Sequence, residues 1–113
     1  MHKLYTLLLL LFSLAINLNG QFNMSLLSQV SYNANLSDIW GWADPDTGVE
    51  YAIVGVNNGV SIVSLEDPTN ATELFFIPGE NSTWRDIKTW GDYAYVTTDQ
   101  GGTTDGLLVI DMT

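Results

Sequence analysis

The sequence contains no cysteine. Disulfides, thiolate nucleophiles, thiolate metal sites and thiol-borne lipids are therefore ruled out. Histidine is nearly absent too: His2 is the only one, and it lies in a segment that reads as a removable leader. Within the mature part, that excludes Cys–His and Ser–His–Asp catalysis and imidazole-bound zinc. Basic residues are scarce, three Lys and Arg against 13 Asp and Glu, for a formal net charge of −10. Phosphate backbones and anionic membrane surfaces require a basic face, so neither is an expected partner. The acidity suits the solubility of an exported protein; a cation site is the sharper alternative. There is no Walker loop and no dinucleotide fingerprint, since Gly101-Gly102 leads into Thr-Thr-Asp-Gly rather than a helix.

Residues 1–20 read as a secretory signal peptide. Lys3 and the free amine supply a short positive region, Leu4 to Ile16 an apolar core, and Asn17-Leu18-Asn19-Gly20 a polar end with a small residue. The apolar core is shorter than the roughly 20 residues that span a bilayer. Cleavage after Gly20 leaves a mature chain, 21–113, with no membrane insertion expected. Hydrophobic residues are 46% of the chain and charged ones 14%, too apolar a mixture for disorder.

The chain repeats itself. Asp38-Ile39-Trp40-Gly41-Trp42-Ala43-Asp44 matches Asp86-Ile87-Lys88-Thr89-Trp90-Gly91-Asp92 at an offset of 48. Tyr51-Ala52-Ile53-Val54 matches Tyr93-Ala94-Tyr95-Val96 at 42, and Gly59 to Leu65 matches Gly106 to Met112 at 47. The first copy carries six extra residues, Pro45 to Glu50, whose Pro and Gly mark a longer hairpin loop. Short β-branched and aromatic runs, broken by Gly and Asn at a period in the forties, have the spacing of β-propeller blades. The expected fold class is all-β, with β-propeller-like antiparallel blades, incomplete, about two being present.

Strands are expected at 38–42, 51–57, 60–65 and 72–77 for blade one (38–77), and at 85–90, 93–98 and 107–112 for a partial blade two (85–113). Asn57-Asn58-Gly59 is a hairpin signal, because Asn and Gly accept positive φ cheaply. Residues 25–32 read as a further strand, one that closes a ring by completing the last blade. Repeat architectures bury their core against neighbours and need several copies. The chain is accordingly expected to be the amino-terminal part of a longer propeller.

Gly106-Leu107-Leu108-Val109-Ile110-Asp111 and Gly59-Val60-Ser61-Ile62-Val63-Ser64 resemble the LVIVD repeat. The run from Asn81 to Val96, with Trp84-Arg85-Asp86-Ile87 at its centre, resembles more narrowly the exported bacterial proteins called choice-of-anchor B. The resemblance extends from about Ser25 to Thr113. It implies a β-propeller-like domain on a secreted or surface-attached protein, and it brings no catalytic residues.

Few residues stand outside the repeat. Asp38 and Asp86 recur in register, which points to a structural role, accepting backbone N–H groups at the turn into a strand. Trp42 and Trp90 also recur, as residues that pack between blades would. Arg85, which aligns with Ser37, is either a partner for a carboxylate or a ligand contact. Trp84, beside Asn81, Ser82 and Thr83, is the best single candidate for stacking on a ligand. Asp99 and Asp105 bracket a Gly-rich polar loop of the kind that offers oxygen ligands to calcium, although two carboxylates also suit a plain hairpin loop. Sequons at Asn23, Asn35, Asn70 and Asn81 matter only in a eukaryotic secretory pathway. The expected function is a non-enzymatic secreted or cell-surface module binding an extracellular protein or glycan. The alternatives are part of a glycan-active enzyme with its catalytic residues in further blades, and a structural spacer.

Overall fold

The computed structural model describes residues 24–99 and 106–113. The signal-peptide reading at 1–20 and residue Asp105 lie outside them. The described residues form two antiparallel sheets. The first has strand order β1 (Leu36–Ala43), β2 (Glu50–Val56), β3 (Gly59–Ser64), β4 (Thr72–Pro78); the second has β5 (Arg85–Trp90), β6 (Tyr93–Thr98), β7 (Leu107–Asp111). Each strand pairs with the next in sequence, as short hairpins allow. The all-β meander expected from the repeat is therefore present, and all seven strands lie within two residues of the expected bounds.

The turns follow local chemistry. In the loop between β1 and β2, the Asp44 carboxylate accepts the N–H groups of Asp46 (2.8 Å) and Thr47 (3.2 Å) and the Thr47 hydroxyl (2.7 Å), and Gly48 takes φ +74°. Asp67 nucleates the turn before β4 in the same way, through Thr69. The two-residue link between β5 and β6 has Gly91 at φ +57° in its first position, as a type II′ hairpin requires.

The Asn57-Asn58-Gly59 hairpin forms, but not for the expected reason. None of the three has positive φ. Gly59 is needed because a Cβ there would lie 2.4 Å from the Ile77 carbonyl oxygen and 2.6 Å from the Phe76 ring. The site demands the absence of a side chain, not a left-handed backbone.

The two sheets stack face on face. From the first sheet, Trp42, Ile53, Val60 and Ile62 meet Ile87, Ala94 and Val96 of the second, with Tyr51, Leu108, Ile110 and Met112 around them. The alternation of strand side chains puts each set on one face. We call the face of the first sheet that carries Trp42 its front, and the face of the second sheet that carries Ile87 its back.

One expectation is corrected. Residues 25–32 form no strand. The segment crosses the back of the first sheet as an extended strap. Val30, Tyr32 and Ala34 cover Val54, Val56 and Val63. The Tyr32 hydroxyl lies 2.9 Å from Ser61 Oγ, which donates to the Glu73 carboxylate at 2.5 Å. Ser28 ties the far end to the Asp67 turn by donating to the Pro68 carbonyl (2.8 Å) and accepting from the Ala71 N–H (3.2 Å). Here Val30, Tyr32 and Ala34 bury area on a sheet face instead of extending a sheet edge, while Leu26 and Leu27 stay exposed.

Candidate functional site: the joint between the sheets and its rim

The joint is built by the first strand of each sheet. Ile87 N–H donates to Asp38 Oδ2 across the joint at 2.8 Å. Trp40 Nε1 donates to Thr89 Oγ1 (3.1 Å), and Trp42 Nε1 donates to the Gly91 carbonyl (2.9 Å). Lys88 Nζ sits 3.9 Å from the centroid of the Trp40 ring and 3.8 Å from Asp38 Oδ2. Front-facing residues of β1 at alternate positions, 38, 40 and 42, thus engage β5 and the turn that follows it.

The expected structural role for Asp38 is met, with an addition. Its carboxylate accepts an N–H from the following sheet, 49 residues along the chain, as well as bonding near its own strand start. That bond to Ile87 is the main cause holding the Asp38 carboxyl below its ordinary pKa, with Lys88 adding to it against partial desolvation. A carboxyl with a depressed folded pKa adds stability above its unfolded value, near 3.8, and loses that contribution as pH falls through the folded value. We predict that Asp38→Asn lowers the melting temperature at neutral pH. The gap to the wild-type chain should close as the pH falls below about 3.8. Parallel melting curves between pH 2 and 7 check this; a gap independent of pH refutes it.

Trp84 and Arg85 are adjacent in sequence and opposite in environment. Arg85 is 3% exposed. Its Nε donates to the Val56 carbonyl at 2.9 Å, and its Nη2 contacts the carbonyls of Asn57 (3.5 Å) and Glu80. The guanidinium therefore clamps the β2–β3 turn to the connector between the sheets. The sequence left it between a carboxylate partner and a ligand contact; burial turns it inward, and the acceptors it meets are backbone carbonyls. Nothing in a linear sequence distinguishes a carbonyl-capping arginine from a ligand-facing one, because its acceptors come from residues 56, 57 and 80.

Trp84 is 64% exposed. Its backbone is held on both sides: the N–H donates to Ser82 Oγ (3.2 Å), and its carbonyl lies 2.7 Å from the same oxygen. Ser82, itself buried, is also 2.5 Å from Asp99 Oδ1 and donates its N–H to the Asn57 carbonyl (2.8 Å). Asn57 Nδ2 donates back to the Ser82 carbonyl (3.1 Å). Trp84 thus rides on a corner braced by Ser82, Asn57, Asp99 and Arg85. Ser82 was legible only as a neighbour of Trp84; its bracing role follows from the 57 and 99 contacts.

Of the proposed calcium pair, Asp99 lies at this corner, and Asp105 lies outside the described residues. Among the described residues no group of three or more His, Cys, Asp or Glu side chains is clustered closely enough to hold a metal. No described helix is long and apolar enough to cross a membrane.

Comparison with protein-family models, with curated proteins and with solved structures found no match.

Proposed function

We propose that the chain is an exported, non-enzymatic β-propeller repeat module that binds an extracellular protein or glycan, with Trp84 as its central contact. The resemblance to LVIVD-repeat and choice-of-anchor B proteins supports the module and its export. The observation that carries the binding reading is the contrast at Trp84-Arg85. Asp38, Trp40, Trp42 and Arg85 are all spent on internal bonds. Trp84 presents its indole to solvent from a backbone held on both sides. A large aromatic surface on a rigid corner binds at low entropic cost, because little is left to order on contact.

Titration of the purified chain against a panel of soluble oligosaccharides and extracellular proteins tests the proposal. Trp84→Ala should weaken binding of any ligand found by about 30-fold, the effect of losing an aromatic hot spot worth ~2 kcal/mol. Its melting transition should shift little, because Trp84 touches no core. Undiminished binding by the variant, or turnover of a bound glycan, counts against the proposal.

A further inference from the structure

All 13 Asp and Glu residues lie beyond residue 37, and only two cations, Arg85 and Lys88, lie there with them. Both cations are committed within the chain. The Arg85 guanidinium is 3% exposed and donates to the carbonyls of Val56, Asn57 and Glu80. The Lys88 ammonium donates to the Ile87 carbonyl at 2.7 Å and rests on the Trp40 ring beside the Asp38 carboxylate. The described residues therefore offer no unengaged cation to an anionic ligand, and their field favours a positive one.

Carboxylates gather around Trp84. Two residues of extended chain span at most about 7 Å, so Asp86 stays beside it. Asp99 Oδ1 lies 2.5 Å from the Ser82 Oγ that accepts the Trp84 N–H, which brings a second carboxylate within two hydrogen bonds of the Trp84 backbone. Glu80 belongs to the same corner, because Arg85 holds its carbonyl. The carboxylates of Glu80 and Asp86 are exposed and take no donor among the described residues. Those of Asp38, Asp44 and Asp67, by contrast, are spent on backbone N–H groups.

The molecule already contains an example of what a tryptophan and a carboxylate hold together. At the joint the Lys88 ammonium sits 3.9 Å from the Trp40 ring centroid and 3.8 Å from Asp38 Oδ2. An ammonium there gains from the negative face of the ring and from the carboxylate at once. At Trp40 the lysine is the chain's own, whereas Trp84 is 64% exposed.

We propose that the partner of the Trp84 corner is a basic protein segment, which lays a lysine side chain over the indole with its ammonium among Glu80, Asp86 and Asp99. This rests on the reading of Trp84 as the binding contact and names the chemistry of its ligand. A lysine fits better than an amino sugar, because its flexible stem covers apolar surface while the ammonium reaches both a ring face and a carboxylate. A sugar amine is fixed to its ring. Sulfated, phosphorylated and uronic ligands are disfavoured, since they would meet carboxylates at a corner whose one guanidinium is turned inward.

Calorimetric titration of the purified chain with hexalysine tests this, beside Nε-acetylated hexalysine, hexaglutamate, a cellohexaose and a glucosamine hexamer. Hexalysine should bind, and acetylation, which removes the charge and keeps the length, should abolish binding. Trp84→Ala should weaken hexalysine by about 5-fold or more, the loss of a cation–π contact. Trp90→Ala, which removes an equally accessible ring elsewhere, should leave it unchanged. Glu80→Gln with Asp86→Asn should weaken it by about 5-fold and leave the melting transition in place, because neither carboxylate supports the fold. No binding of hexalysine, or binding that survives acetylation, overturns the inference. A glucosamine hexamer bound as tightly as hexalysine overturns the protein partner in favour of an amino glycan. Trp84-dependent binding of hexaglutamate or cellohexaose without hexalysine overturns the charge assignment and leaves Trp84 as the contact. Hexalysine bound equally well by Trp84→Ala overturns both readings.

Discussion

Arg85→Met is expected to destabilise the chain by at least about 1.5–3 kcal/mol, the contribution of one hydrogen bond from a charged donor. The substitution keeps an unbranched apolar stem and removes the guanidinium. The carbonyls of Val56, Asn57 and Glu80 then lose their donor at a corner from which Arg85 excludes water. Hydrogen bonds to charged groups contribute about 1.5–3 kcal/mol each, and an orphaned buried acceptor also costs its desolvation. Arg85→Lys should recover only part of the loss, because one ammonium cannot reproduce the planar fork that reaches separate carbonyls. Urea unfolding of the three proteins, read as midpoint shifts at constant slope, checks the series. A Met variant within about 0.5 kcal/mol of the parent, the range of an ordinary surface substitution, refutes the clamp.

Two tryptophans at equivalent repeat positions should respond very differently. Trp42→Ala removes a buried ring that lies 5.6 Å from the Tyr51 ring centroid, and an indole N–H bonded to the Gly91 carbonyl. The expected loss is about 3–5 kcal/mol, as for other buried aromatics cut to Ala. Trp90→Ala removes a ring that stands in solvent and should cost no more than about 0.5 kcal/mol. The comparison is internal: the same residue type, the same strand position and the same repeat, with only the neighbouring sheet different. Thermal unfolding of both variants measures it. Equal losses would show that the front of the second sheet is packed in the isolated chain.

Much of the fold was legible from the repeat. Short β-branched and aromatic runs, Tyr51 to Val56 and Tyr93 to Thr98, with Gly and Asp at the turns, are a local signal that tertiary contacts reinforce. The hairpin at Asn57 to Gly59 was found for the wrong reason. Sequence suggested a backbone need, whereas the constraint is the approach of Ile77 and Phe76 from β4. Leu26, Leu27 and Val30 give the strap the composition of a strand, yet it pairs with no sheet edge. Composition does not say whether an apolar segment adds to an edge or lies across a face.

The candidate site was legible only in part. Repetition of Asp38 and Trp42 marked them as structural, and both are found in the joint. Trp84 and Arg85 stand out together because the matching positions of the first copy hold Leu36 and Ser37 instead. Their separation into an outward platform and an inward clamp depends on carbonyls 5 to 29 residues away.

The sequence by itself determined the strands, their order and the two copies of one pattern. Those depend on side-chain period, turn residues and internal similarity, all of which are local or self-referential. Only the tertiary structure decided which face of each copy is buried. The same row of residues is core in the first sheet and surface in the second, because burial belongs to the neighbour that covers a face and not to the residues that form it. That is why Trp42 and Trp90, alike in sequence, differ in exposure.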